Sequence, residues 1–347
     1  MRALTALTLY VCLTSAGFGQ QTGQLPRGET AREIKIEKYV LQGDYISAER
    51  VFREALVAPE YSEPALLTFR NGLADLLREE GKEGEARELF HRVLNSPDIT
   101  WKQRLAATMG LAGMEGHATS PEAAAQLWMK ALAITREYGD KISEAAALRG
   151  LANTWFEAHD PSKAEPLLRR SLQILENDPA APVWQTASTL GTLGHVYRAG
   201  DKLALAENAW TRALELDRTT FGETHPQTAY MMELLAELYA VKKDFTLARQ
   251  YSGRALDAMQ ASCGAESLAV ATALASRGSV EEYANSLTSA MDDYAAALRI
   301  ARKNPDSPAF EIAIMRHYAA LLKATHRDRE AKALAVEASS FQQQSLR

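Results

Sequence analysis

One arrangement of small and large side chains returns eight times along this chain. An alanine is followed four residues later by a large residue, then at seven and eight by Ala-Leu or a close substitute. The copies are Ala48-Phe52-Ala55-Leu56, Ala86-Phe90-Val93-Leu94, Ala124-Trp128-Ala131-Leu132 and Ala164-Leu168-Ser171-Leu172. Ala206-Trp210-Ala213-Leu214, Ala248-Ser252-Ala255-Leu256 and Ala290-Tyr294-Ala297-Leu298 follow, then a degraded Ala331-Ala335-Ala338. Successive first alanines are 38, 38, 40, 42, 42, 42 and 41 residues apart. Offsets of four, seven and eight share one face of an α-helix. The leading alanine lets a neighbouring helix approach, and the larger residues fill the space beyond it.

A second pattern lies twelve residues before the alanine in several copies: Leu73-Ala74, Leu111-Ala112, Leu151-Ala152, Leu193-Gly194 and Leu235-Ala236. A large residue follows three later at Leu77, Trp155, Tyr197 and Tyr239, which marks another amphipathic helix. Each unit is therefore helix A, a turn and helix B. Gly81 and Gly200 lie in the turns, where a left-handed residue is expected at a helix C-terminus. Ser120-Pro121, Asp160-Pro161 and Ser307-Pro308 read as an N-cap followed by a first-turn proline. Thr224 and Gln227 are spaced for a capping box.

The small-large spacing resembles the tetratricopeptide repeat, whose usual period is about 34 residues. A period nearer 42 resembles the kinesin-light-chain type, with about one added turn per helix. The match is sharpest from Phe221-Gly222-Glu223-Thr224-His225-Pro226-Gln227 through Leu235-Ala236-Glu237-Leu238-Tyr239 to Ala248 and Arg254-Ala255-Leu256. The resemblance implies an all-α, right-handed superhelical solenoid of about eight antiparallel helix pairs over residues 30–345. Repeat 1 departs with Lys35-Ile36, repeat 7 with Arg277-Gly278 and repeat 8 with Tyr318-Ala319, as expected of capping copies.

Before the repeats, residues 1–19 read as a secretion leader. Arg2 precedes an apolar run from Ala3 to Leu13, too short for the ~20 residues that span a bilayer, and small residues end at Gly19. Residues 20–29 are a polar lead-in. Cleavage would leave Cys263 alone, so the fold stands on packing without an intrachain disulfide. A free thiol suits a bacterial periplasm, and the expected location is periplasmic or extracellular. No later run has membrane-spanning length.

In the resembled family, helix A lines a concave groove and contacts come from its second, fifth, ninth and twelfth positions. Carried onto this sequence, these include Thr68, Asn71, Asp75 and Arg78 in repeat 2, and Ala146, Arg149, Asn153 and Phe156 in repeat 4. Ser188, Gly191, His195 and Arg198 follow in repeat 5, then Tyr230, Glu233, Glu237 and Ala240 in repeat 6. Glu282 of repeat 7 and Arg316 of repeat 8 extend the series. Arg149, Asn153, His195 and Arg198 are expected to form a cationic cradle for a carboxylate of an extended peptide. Glu233, Glu237 and Glu282 would form an acidic stretch beyond it. The Lys and Asn clamp of some family members and the Asn-rich helices of kinesin light chains are not reproduced.

Repeat 3 adds an anomaly. Gly110, Gly113 and Gly116 recur every third residue beside Met109. In a helix interior they cost about 1 kcal/mol each relative to alanine. Two accounts apply: a bare groove floor at Met109 and Gly113 that admits an apolar partner side chain, or a structural role in close helix packing or as a flexible point of the solenoid.

Catalytic motifs are missing from the sequence. The seven histidines form no His-Glu-x-x-His pattern, and there is no phosphate loop, nucleophile elbow or dinucleotide fingerprint. No cofactor or metal is expected. A net charge of −5 with isolated basic pairs argues against nucleic acid. A chain 46% hydrophobic and 24% charged has the composition of a folded protein. The expected function is an exported, non-catalytic scaffold that binds a protein or peptide in its groove. The alternatives are an envelope-complex subunit docking through its convex face or ends, and an enzyme or small-ligand or carbohydrate-binding protein using the groove.

Overall fold

A computed structural model of the 347-residue chain describes residues 32–36, 38–39, 45–118, 120–304 and 308–345. The proposed leader, the lead-in and Ser307 lie outside them. The described residues are helical with connecting turns and contain no strand. Their packing divides between Lys202 and Leu203 into two compact units.

In the first unit, the B helices are α1 (Tyr45–Leu56), α3 (Glu83–Leu94), α5 (Pro121–Glu137) and α7 (Pro161–Glu176). The A helices are α2 (Glu63–Glu79), α4 (Trp101–Ala118), α6 (Lys141–Glu157) and α8 (Val183–Ala199). The second unit continues with α9 (Leu203–Phe221), α10 (Pro226–Val241), α11 (Phe245–Cys263) and α12 (Leu268–Tyr283). It ends with α13 (Leu287–Arg302), α14 (Pro308–Ala324) and α15 (Asp328–Ser345). Each helix packs on its neighbours along the chain within its unit, and α2, α4, α6 and α8 also touch one another in succession. The A helices thus form a continuous inner row in the first unit.

The repeat alanines hold each stack together. Ala48, Ala86, Ala124, Ala164, Ala206, Ala248 and Ala290 are all 0% exposed, and Ala331 is 6% exposed. Phe52, Phe90, Trp128, Leu168, Trp210 and Tyr294, four residues on, are buried beside them. The Trp155 ring is half-buried instead, with the Lys163 ammonium 4.0 Å from its centre. Repeat 7 is not a worn copy: Arg277 donates from Nε and Nη2 to the buried Asp293 carboxylate at 2.9 and 2.5 Å. A half-buried ion pair stands where other copies carry the Leu of the Leu-Ala pattern.

The A–B turns share a backbone device. Gly81, His159, Asp201, Lys243, Asn285 and His326 each precede their repeat alanine by five residues and have positive φ. At Lys243 (φ 64°) the N–H donates to the Ala240 carbonyl at 3.0 Å, and the next N–H reaches the Tyr239 carbonyl at 2.9 Å. That is the Schellman closure of a helix end. Gly200 is corrected by this register: its φ is −88°, and the left-handed residue is Asp201. Lys243→Gly is expected to stabilise the second unit by about 0.5–1 kcal/mol, because only glycine adopts this conformation without Cβ strain. Gly200→Ala is expected to cost nothing. Thermal unfolding of the two variants checks the contrast.

Of the described helix starts singled out in the sequence, two are capped as expected and one is not. Ser120 Oγ accepts from Ala123 N–H at 3.0 Å, and Asp160 Oδ1 accepts from Lys163 N–H at 3.3 Å. The capping box between Thr224 and Gln227 does not form. His225 is the N-cap, its Nδ1 accepting from Gln227 N–H at 3.1 Å. Pro226 at the first helical position fixes that register. Among the described residues no helix is long and apolar enough to cross a membrane.

Candidate functional site

A cavity of about 280 Å³ lies on the inner row of the first unit. From α2 it takes Asp75 and Arg78, and from α4 Trp101, Leu105, Met109 and Gly113. Helix α6 adds Ala146, Arg149, Asn153 and Glu157, while Trp128 and Gln185 come from α5 and α8. The volume suits one or two large side chains, at roughly the lower end of small-ligand pockets. Seven sequence-predicted residues meet here: Asp75, Arg78, Met109, Gly113, Ala146, Arg149 and Asn153.

Each wall has a local cause. Residues spaced by three or four on α4 and α6 point to the same side of their helices. The Trp101 ring stacks on Tyr138 with centroids 4.7 Å apart and planes 7° apart, which fixes it as a flat wall. The Trp128 indole N–H donates to Thr154 Oγ1 at 3.1 Å, and its ring lies over Gly150. Trp128 is therefore core, as expected from its repeat position, and a cavity wall as well. The glycines divide between the two accounts. A Cβ on Gly110 would overlap the buried Phe90 ring, so Gly110 serves close packing. A Cβ on Gly113 would meet only Arg78 Nη1, at 3.9 Å, so Gly113 is open floor. The surroundings of Gly116 lie outside what is described.

Charges around the cavity balance. Arg78, Lys102 and Arg149 face Asp75, Asp140 and Glu157. Arg78 pairs with Glu79 at 2.7 Å and with Asp75 at 3.6 Å. Asp140 caps α6, accepting from Ser143 N–H at 3.0 Å.

Several predicted groove residues do other work. Asn71 is 2% exposed and donates to the Gln103 carbonyl at 3.0 Å, tying α2 to α4 instead of presenting its amide to a partner. The cationic cradle is corrected in two respects. His195 and Arg198 do not line the cavity with Arg149 and Asn153. Burial, with the Arg198 charge beside it, pushes the His195 imidazole down to about 4, so it is neutral at pH 7. The His195 ring instead neighbours Phe156, with centroids 6.4 Å apart.

In the second unit the acidic stretch is also weaker than three carboxylates. Glu233 is 6% exposed, its Oε1 has no hydrogen-bond partner, and burial followed by the Glu237 charge pushes it up to about 8. Tyr230 is half-buried one turn away, its hydroxyl raised by burial and by the Glu233 and Glu237 charges. Glu282 accepts from the Tyr294 hydroxyl at 2.6 Å. Arg316 is exposed and donates to Gln342 Oε1 at 2.6 Å. Among the described residues no His, Cys, Asp and Glu group is arranged to hold a metal ion.

A tetratricopeptide-repeat family model matches residues 103–177 and 185–241. No curated protein matches the chain by sequence. Among solved structures, Rap protein complexed with competence and sporulation factor is similar at 10% identity, over 99% of this chain and 98% of that one, with TM-score 0.64. The signal-transduction ATPase with a tetratricopeptide-repeat sensor from Pyrococcus horikoshii shares 14% identity over 99% of this chain and 54% of that one, TM-score 0.67. BtubC from P. vanneervenii shares 18% identity over 72% of this chain and 93% of that one, TM-score 0.54. At these identities the likeness is one of fold.

Proposed function

This is a tetratricopeptide-repeat protein, and from that premise we propose that it is an exported, non-catalytic interaction scaffold that seats a segment of a partner protein in the cavity of the first unit. The supporting observation is the meeting of Arg78, Met109, Gly113, Arg149 and Asn153 around one cavity of about 280 Å³. Apolar floor and fixed aromatic walls suit a side chain, and the Arg149 and Asn153 groups beside them suit the polar main chain that carries it. The complex of Rap protein with competence and sporulation factor offers a fold-level parallel. Export rests on residues 1–19, whose short apolar run and small residues have the pattern of a cleaved leader. The location is the periplasm or the exterior of a bacterial cell.

Gly113→Trp fills the cavity from a position where an added Cβ meets nothing but Arg78. The variant is expected to keep the helical content of the wild type and to lose a partner that the wild type captures from envelope extract. A partner captured equally by both contradicts the proposal.

A further inference from the structure

Gln185 is the feature of the cavity that the repeat register singles out. Gln103, Gln185 and Gln227 each precede their repeat alanine by 21 residues. Gln103 is fully used: its Oε1 accepts from Thr100 N–H at 3.0 Å, and its Nε2 donates to Pro64 O at 2.6 Å and Thr68 Oγ1 at 2.9 Å. Gln227 lies beside the buried Asp217 and opposes the upward push of burial on its carboxyl. Gln185 is 4% exposed, yet its Oε1 has no hydrogen-bond partner in the chain.

One substitution explains the orphaned oxygen, and a second takes away an acceptor of the amide nitrogen. The position of Thr100 is held by Pro182, which has no N–H to give. The position of Thr68 is held by Ala146, which has no hydroxyl and lines the cavity beside Gln185. The scaffold thus keeps the amide and removes two of its internal partners, at the one copy that borders the cavity. A buried carbonyl oxygen in that state calls for a donor, and a hydroxyl supplies one without a charge. The surrounding walls, Trp101, Leu105, Met109 and Trp128, call for an apolar ring. The balanced lining charges favour a neutral ligand over an ionised one.

We propose that the cavity is a specificity pocket for a tyrosine side chain of the bound segment, its ring against Trp101 and Met109 and its hydroxyl on the Gln185 amide. This rests on the reading of the cavity as the partner's seat and adds the chemistry selected there. The probes are p-cresol and toluene, the side-chain analogues of tyrosine and phenylalanine, titrated into the purified chain. The readout is the indole N–H resonances of Trp101 and Trp128. In the wild type p-cresol is expected to bind about tenfold more tightly than toluene, since toluene leaves the amide buried and unpaired. In Gln185→Met the difference is expected to vanish while both still bind. Equal affinities in the wild type, or a phenol preference that survives in Gln185→Met, overturn the inference and leave the apolar seat standing. Silence of both indoles with both probes overturns the seat as well.

Discussion

Gly113→Ala should stabilise the first unit, whereas Gly110→Ala and Gly150→Ala should destabilise it, although all three exchange glycine for alanine inside a helix. Propensity favours alanine by about 1 kcal/mol at each site. At Gly113 nothing opposes that gain, because the added methyl reaches only the end of Arg78. At Gly110 the methyl would overlap the Phe90 ring, which is 0% exposed and cannot swing outward. At Gly150 it would overlap the Trp128 ring, which the bond to Thr154 holds in place. Overpacking of this kind costs typically about 1–3 kcal/mol and outweighs the propensity gain. Denaturant unfolding of the three variants is the check. A gain in stability in all three would mean that the rings yield freely and that the inner row is not close-packed.

The second large effect is a dependence of stability on pH that comes from buried carboxyls in the second unit. Burial, reinforced by Glu237, raises Glu233 to about 8, and burial raises Asp217 to about 7 against the opposing effect of Gln227. Unfolded, both titrate near 4, as ordinary carboxyls do at about 3.9–4.3. Between those limits the native state holds more protons than the unfolded state, so stability falls as pH rises. The contribution is complete below about pH 4 and lost by about pH 8. Each tenfold difference in proton affinity between the folded and unfolded chain is worth about 1.4 kcal/mol. With relaxation around the two buried groups, the loss between about pH 5 and pH 8 is expected to be of the order of 3 kcal/mol. Glu233→Gln with Asp217→Asn keeps shape and removes the titration. The double variant should melt well above the wild type at about pH 8 and close to it at about pH 5. An unchanged pH slope in the double variant would show that these carboxyls reach water.

The fold was legible because each repeat states its own packing. Small residues at fixed offsets mark where backbones meet, and the buried repeat alanines lie at those offsets. Contacts between repeats were harder to read, since they depend on how one copy registers on the next. Glu165 and Glu207 follow their alanines by one residue and pair with Lys202 and Lys242 of the next copy, as Glu49 does with Lys82. Arg87 and Arg249 occupy the same position with the charges exchanged, pairing with Glu115 and Glu281. Those charges were present in the sequence and become meaningful only with the register known.

The site divides in the same way. Arg78, Arg149 and Asn153 follow from counting along helix A, and Met109 and Gly113 from the glycine spacing of repeat 3. Asn71 failed because it is buried and its amide is used by the next A helix, α4. His195 failed because burial removes the charge that its position suggested. Trp101 had no assigned role in the sequence, since its stacking partner Tyr138 comes from the end of another helix. Gln185 was missed although Gln103 and Gln227 mark the same position, because its significance lies in what Pro182 and Ala146 lack.

Photo-cross-linking tests the central claim most directly. A photoreactive residue is placed at Lys102, on the cavity rim, or at Met129, which is 55% exposed on the B helix α5. Each protein is irradiated in envelope extract and the adducts are compared. The account predicts one partner adduct from position 102 that is lost with Gly113→Trp, and none of that partner from position 129. The same partner captured from 129 and not from 102 would contradict it and place recognition on the B helices.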